Sequence, residues 1–258
     1  FEGTLEDVIV ADLLSAGLQV ALSSLRVVPN GFAGAAVDIV DVEYREGLAG
    51  GVSVLSFGLA NDAAAGLQLV NPGDNAASND VIRVAYEAVV LHTAANQDGT
   101  GLANLAAVGA QDSLAVEDQD GITVVEPDLT LSKTIVSPSG SVDAGDVVVY
   151  AAVLENVGSS TAWEASFEDL APAGTLFDPA SVSAVDGAGD PVAGFVVSAD
   201  GRTLSASGLE IAAGGTVTLS YARIVQDDVE AGQDLPNLAR VDWSSAEGDV
   251  AGERTGAD

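Results

Sequence analysis

Residues 216–225 read TVTLSYARIV and residues 81–90 read VIRVAYEAVV, and these two stretches decide the class of fold. In the first, Val217, Leu219 and Tyr221 alternate with Thr218 and Ser220, the period of two that puts one set of side chains on each face of a strand. The same period runs through residues 129–135, where Leu129, Leu131, Lys133 and Ile135 share one face and Thr130, Ser132 and Thr134 the other. Asn30-Gly31 and Asp200-Gly201 are hairpin dipeptides, and Gly73-Asp74, Gly145-Asp146 and Gly214-Gly215 separate further apolar runs. Residues 94–108 do not read as a helix, because Gly99 and Gly101 interrupt them. Many short strands with regular turns predict an all-β chain built of sandwiches.

The likeness of the two opening stretches belongs to a longer repeat. ADLLSAG at 11–17 returns as EDLAPAG at 168–174, so that Asp12 matches Asp169 and Gly17 matches Gly174 at one offset of 157. NLAAV from Asn104 likewise returns as NLARV from Asn237. Fixed order of this kind marks tandem units whose loops absorb differences in length. Two strand-like segments, 129–136 and 147–154, precede the second copy and have no counterpart before Phe1. Residues 1–125 are therefore expected to form a sandwich lacking its N-terminal strands, with an insertion over 37–69, and residues 126–258 a complete one. The boundary falls at Glu126-Pro127, where proline interrupts the strand pattern. The absent strands are expected from residues upstream or, by edge augmentation, as strand donation from another subunit.

Composition narrows the class of function. At 258 residues with 48% apolar side chains the chain has material for two ordinary cores. Without cysteine it has no disulfide, no thiolate metal site and no cysteine nucleophile; without methionine, Phe1 reads as a processed or excised start. No apolar run reaches the roughly 18 residues of a membrane span, so no membrane insertion is expected in this segment. The 39 acidic residues against 8 Lys and Arg give a formal charge of −31, a field that repels nucleic acid, attracts cations and favours solubility in salt.

EPDLTLSKT (126–134), DAGDVVVYAAVLENVGSSTA (143–162), FEDLAPAG (167–174), AAGGTVTLSYARIV (212–225) and NLARV (237–241) together resemble one unit of a bacterial cell-surface repeat of unknown function. That repeat, of the pattern LTKT, GDxVTYTITVTNxG, DTLPAG, NTATV, is similar to the isopeptide-forming domains of fimbrial proteins. The resemblance spans 126 to about 243 and, for residues 1–112, only the later part of a unit. It implies immunoglobulin-like sandwiches in a secreted or cell-surface fibre, stalk or adhesin, with neighbouring repeats or subunits of the same fibre as partners. It implies no substrate.

Lys133, the only lysine, stands in phase with Leu129, Leu131 and Ile135, where a charge is costly unless paired. Asp169 falls in phase with Trp163, Ala165 and Phe167, and Asn237 with Ala239, Val241 and Trp243. An inward lysine, carboxyl and carboxamide are the three groups an isopeptide bond requires: a desolvated amine attacks the amide while the carboxyl assists, and ammonia leaves. The same three also make a buried Lys133–Asp169 ion pair with Asn237 completing its hydrogen bonds. The first domain keeps a partial set, Asp12 and Asn104, without a lysine.

Glu117, Asp118 and Asp120 before Gly121, and Asn96 and Asp98 before Gly99, place oxygen ligands at short spacing and are the candidates for calcium; solvated acidic turns are the alternative. His92, the sole histidine, has no nucleophile signature beside it, and the glycines fall in turns between strands and not in a phosphate-cradling loop. The chain is accordingly expected to be a structural protein and not an enzyme. The alternative is an adhesin module gripping a glycan or protein receptor through sandwich-end loops or residues 37–69.

Overall fold

The computed structural model describes residues 3–29, 32, 34–61, 68–71, 73, 80–111, 115–248 and 253–258. Asn30, Gly31 and Asp74, expected as turn residues, lie outside them. The chain divides into two compact units, 1–124 and 125–258. Among the described residues there is no α-helix.

The first unit contains β1 (Gly3–Glu6), β2 (Ile9–Leu14), β3 (Leu18–Val28), β4 (Asp38–Arg45), β5 (Ser53–Ala60), β6 (Gln68–Asn71), β7 (Arg83–Val90), β8 (Gly101–Gly109) and β9 (Val116–Thr123). An antiparallel sheet runs in the order β4-β5-β2-β8-β9; β3 pairs with β7 and β1 with β6. Leu14, Leu18, Val20, Leu55, Phe57 and Leu102 pack between them.

The second unit contains β10 (Leu129–Ser137), β11 (Val147–Asn156), β12 (Ala162–Leu170), β13 (Thr175–Asp186), β14 (Val196–Val197), β15 (Thr203–Ile211), β16 (Thr216–Val225), β17 (Ala239–Ser244) and β18 (Thr255–Ala257). One sheet runs β10-β11-β16-β13 and the other β14-β15-β12-β17-β18. Leu154, Leu219 and Tyr221 from the first and Phe167, Leu204 and Val241 from the second are all at 0–1% exposure and belong to one apolar cluster. Alternating inward residues from two sheets around a shared core make a β-sandwich.

The two units share a strand plan. Substituting β12, β15, β17, β14 and β18 for β2, β5, β8, β4 and β9 turns one five-stranded sheet order into the other, and the β3–β7 pair corresponds to β13–β16. The units differ in β1–β6, which has no counterpart in the second unit, and at one edge of the β3–β7 pair. β16 is flanked by β13 and β11, whereas β7 has only β3 beside it among the described residues. Burial follows: six of the ten residues of β16 are buried and none of β7 is. A strand covered on one edge and one face cannot exclude water as a central strand does.

Several local expectations shift. Within residues 37–69, β4 and β5 take the sheet positions of β14 and β15, and the start of β6 pairs with β1. In β10, Ile135 is 59% exposed although it falls in phase with Leu129 and still pairs in register with Tyr150; the slip with β11 comes after it, between Ile135 and Ser137. In β12, a slip between Ala162 and Ala165, with Glu164 at φ 50°, buries both alanines and leaves Trp163 only partly covered. Each bulge adds a residue and breaks the count of two.

Candidate functional site

The bulged start of β12 settles into regular alternation at Ala165, Phe167 and Asp169, all buried, so Asp169 enters the interior at full burial. β10 delivers Lys133, whose Nζ donates to Asp169 Oδ2 at 2.6 Å. β16 delivers Arg223 and Tyr221: Arg223 Nη2 donates to Asp169 Oδ1 at 2.6 Å, and the Tyr221 hydroxyl donates to Oδ2. Arg223 Nη2 also donates to Asn237 Oδ1 at 2.5 Å and to the Leu170 carbonyl at 3.3 Å. Asn237 lies just ahead of β17 and not within it. Lys133, Asp169 and Asn237 are thus linked in one network, with the guanidinium of Arg223 between carboxylate and carboxamide.

Aromatic rings wall the cluster. Tyr150 and Tyr221 stack with centroids 5.5 Å apart at 17°, and the Arg223 guanidinium carbon lies 4.4 Å from the Phe177 centroid and 5.3 Å from that of Tyr150. Lys133 Nζ is 5.4 Å from the Tyr150 centroid. Rings at these distances favour cations and replace part of their lost hydration.

One buried carboxylate therefore faces two cations. Burial pushes the Lys133 ammonium down to about 8, the hydrogen bond and charge of Asp169 pull it upward, and Arg223 pushes it further down. Burial raises the Tyr221 hydroxyl, the Asp169 charge adds to this, and Arg223 opposes it. Burial also raises Tyr150, against the pull of Arg223. Among the buried atoms of the cluster, Arg223 Nε and Nη1 and Asn237 Nδ2 have no hydrogen-bond partner. Arg223, Tyr221 and Tyr150 carry most of the geometry. Extending the Val217, Leu219, Tyr221 alternation by one step reaches Arg223, which is the signal that reveals it.

In the first unit β2 buries Asp12 in the same way. The Tyr86 hydroxyl donates to Asp12 Oδ2 at 2.5 Å, and Asn104 Nδ2 donates to that oxygen at 3.4 Å and to the Tyr86 hydroxyl at 3.2 Å. Tyr86 matches Tyr221 in the repeat, and Ala88 stands where Arg223 would. Burial, then the hydrogen bond and charge of Asp12, raise the Tyr86 hydroxyl. Asp12 Oδ1 and Asn104 Oδ1 are buried without a partner.

The calcium candidates do not converge. Glu117, Asp118 and Asp120 are exposed on β9, whose alternation puts Glu117 on the face opposite the other two. Asp118 and Asp120 accept the backbone amides of Gln119 and Gly121. Asn96 is buried and donates to the carbonyls of Gly17 and Leu91 at 2.9 and 2.8 Å, tying a turn. A Cβ at Gly17, at φ 93°, would lie 2.2 Å from that carboxamide, which is why glycine stands there. Asp98 follows in the exposed turn. Among the described residues no three acidic or histidine side chains are grouped to hold a metal. His92 is exposed just past β7.

No family model and no curated protein matches the chain. Solved structures similar to parts of it include the pilus backbone RrgB of Streptococcus pneumoniae (15% identity, 45% of this chain and 52% of that one, TM-score 0.36). The T6 backbone pilin of Streptococcus pyogenes aligns at 11% identity over 91% of this chain and 62% of that one, TM-score 0.34. The collagen-binding domain of a Staphylococcus aureus adhesin aligns at 12% over 49% and 95%, TM-score 0.34. The chain thus spans about half the length of the pneumococcal structure. These neighbours are structures of backbone pilins and an adhesin.

Proposed function

We propose that the chain is a load-bearing structural segment of an extracellular fibre or stalk, its sandwiches arranged as tandem repeats and its partners neighbouring repeats or subunits. The observation that carries this reading is the cluster at Asp169. It fastens β10 and β16 of one sheet to β12 of the other through two buried cations sharing one carboxylate. Such a tie contributes nothing to turnover, but it must break before the sheets can part. Single-molecule extension of the chain tests it: unfolding of residues 125–258 should need less force in Lys133→Met than in the parent. Equal forces would remove the load-bearing role.

A covalent form of the same tie is favoured by two features: the lowered Lys133 ammonium and the Arg223 hydrogen bond that polarises the Asn237 carbonyl. In that reaction the neutral amine attacks the carbonyl carbon while Asp169 takes its proton, Arg223 holds the oxyanion, and Asp169 returns the proton to the Asn237 nitrogen as the C–N bond breaks and ammonia leaves. Intact mass separates the forms. One ammonia lost, restored by Asn237→Ala, is the covalent tie; a mass equal to the sequence is the ionic one.

A further inference from the structure

The first unit holds a second version of the Asp169 site from which the cations are missing. Asp12 is buried like Asp169 and accepts a tyrosine hydroxyl on the same oxygen, yet among the described residues it has no ion pair, and its Oδ1 and that of Asn104 are unpartnered. Taking a carboxylate out of water is costly unless a cation or a full set of donors replaces its hydration. In the second unit Lys133 and Arg223 do this; in the first, lysine is absent and Ala88 takes the arginine position.

Beside Asp12 opens a cleft of about 470 Å³, walled by Val84, Tyr86 and Ala88 of β7 and by Leu102, Asn104 and Ile122 of β8 and β9. Among the described residues the edge of β7 away from β3 has no strand beside it. The corresponding edge of β16 is covered by β11, which carries β10 and its lysine with it. Orphan acceptors, a strand edge unpaired among the described residues and an open cleft coincide where the second unit has β11 and β10.

We infer that this cleft is a receptor for a lysine-bearing β-hairpin, seated by main-chain pairing along β7 and by its ammonium on the Asp12 carboxylate. The occupant has the chemistry of β10–β11: an inner apolar strand against β7 and an outer strand whose inward face alternates leucine-sized residues with one lysine. Charge complementarity selects it, since a buried carboxylate in a chain of charge −31 accepts a cation and rejects an acidic strand. The inference rests on the tandem-repeat reading but not on the Asp169 tie bearing load, so the two fail separately.

The probe is a synthetic peptide of residues 128–157 of this same sequence, fluorescently labelled and added to the whole chain. Its binding is followed by anisotropy and the site by hydrogen exchange. Binding should saturate at one peptide per chain and protect amides of β7. Lys133→Met in the peptide, or Asp12→Asn in the chain, should weaken it at least about tenfold. The peptide arm leaves the chain unaltered, so a folding defect in Asp12→Asn does not obscure the result. No binding, protection at β16 in place of β7, or affinity indifferent to the peptide lysine would overturn the inference.

Discussion

Asp169→Ala should lower the unfolding free energy of residues 125–258 by about 4 kcal/mol or more, since removing one partner of a buried ion pair costs about 3–5 kcal/mol and here two cations lose their common counter-charge. Both tryptophans, Trp163 and Trp243, lie in this unit, so their fluorescence in a urea titration reports its unfolding alone. Asp12→Ala is the natural comparison. It strands only neutral donors, Tyr86 and Asn104, and should cost about 1–3 kcal/mol. A loss below about 1 kcal/mol for Asp169→Ala would mean the cations are compensated elsewhere.

Asn156→Ala should be nearly as damaging for a different reason. Asn156 is fully buried at the end of β11, and its side chain is satisfied on every atom. Oδ1 accepts the amides of Asp128 at 3.1 Å and Gly158 at 3.0 Å, while Nδ2 donates to the carbonyls of Ser160 and Ile211, both at 2.8 Å. One carboxamide thus joins the entry to β10, the turn after β11 and the end of β15, across both sheets. Alanine leaves four backbone groups unmet, the Ile211 carbonyl among them fully buried and the other three partly so. At about 1–3 kcal/mol each, partly relieved by water, the expected loss is about 4 kcal/mol. Asn156→Asp should also destabilise, because it keeps the acceptor but loses both Nδ2 donors. A cost under about 1 kcal/mol for the alanine variant would show that water replaces the side chain at no penalty.

The strands were readable because their faces are chemically distinct: the alternation in 216–221 and 129–133 survives in burial. The repeat was readable because turns and inward polar residues recur in order, and it located Asp12 and Asp169 at equivalent places. What escaped were the interruptions of period two. Trp163 sits within a bulge, where one extra residue moves a side chain off the face that counting assigns it, and Ile135 is the last regular pair before another. The sheet positions of β4 and β5 left no mark in the repeat, because strands pair by backbone hydrogen bonds whatever their side chains. Arg223 was hidden by its type. Arginine is ordinarily a surface residue, and only its phase with Val217, Leu219 and Tyr221 betrays an inward course. With 39 acids, short spacing on a strand brings some together in sequence while the pleat puts Glu117 on the face opposite Asp118 and Asp120.

The chemistry of the site follows from where these residues meet. A lysine on the first strand of one sheet reaches a carboxylate on the middle of the other because β10 runs along the sandwich edge, where its inward face looks across at β12 and β17. The first unit has the carboxylate, the tyrosine and the carboxamide, but among the described residues no strands stand beside β7 as β11 and β10 stand beside β16, and its cleft and orphan acceptors lie on that side.

The measurement closest to the centre of this account is a double-mutant cycle between Lys133→Met and Asp169→Asn, read as urea unfolding of residues 125–258. A coupling energy of about 2 kcal/mol or more is expected for a desolvated pair that fastens one sheet to the other. Additive effects, with a coupling below about 0.5 kcal/mol, would contradict it.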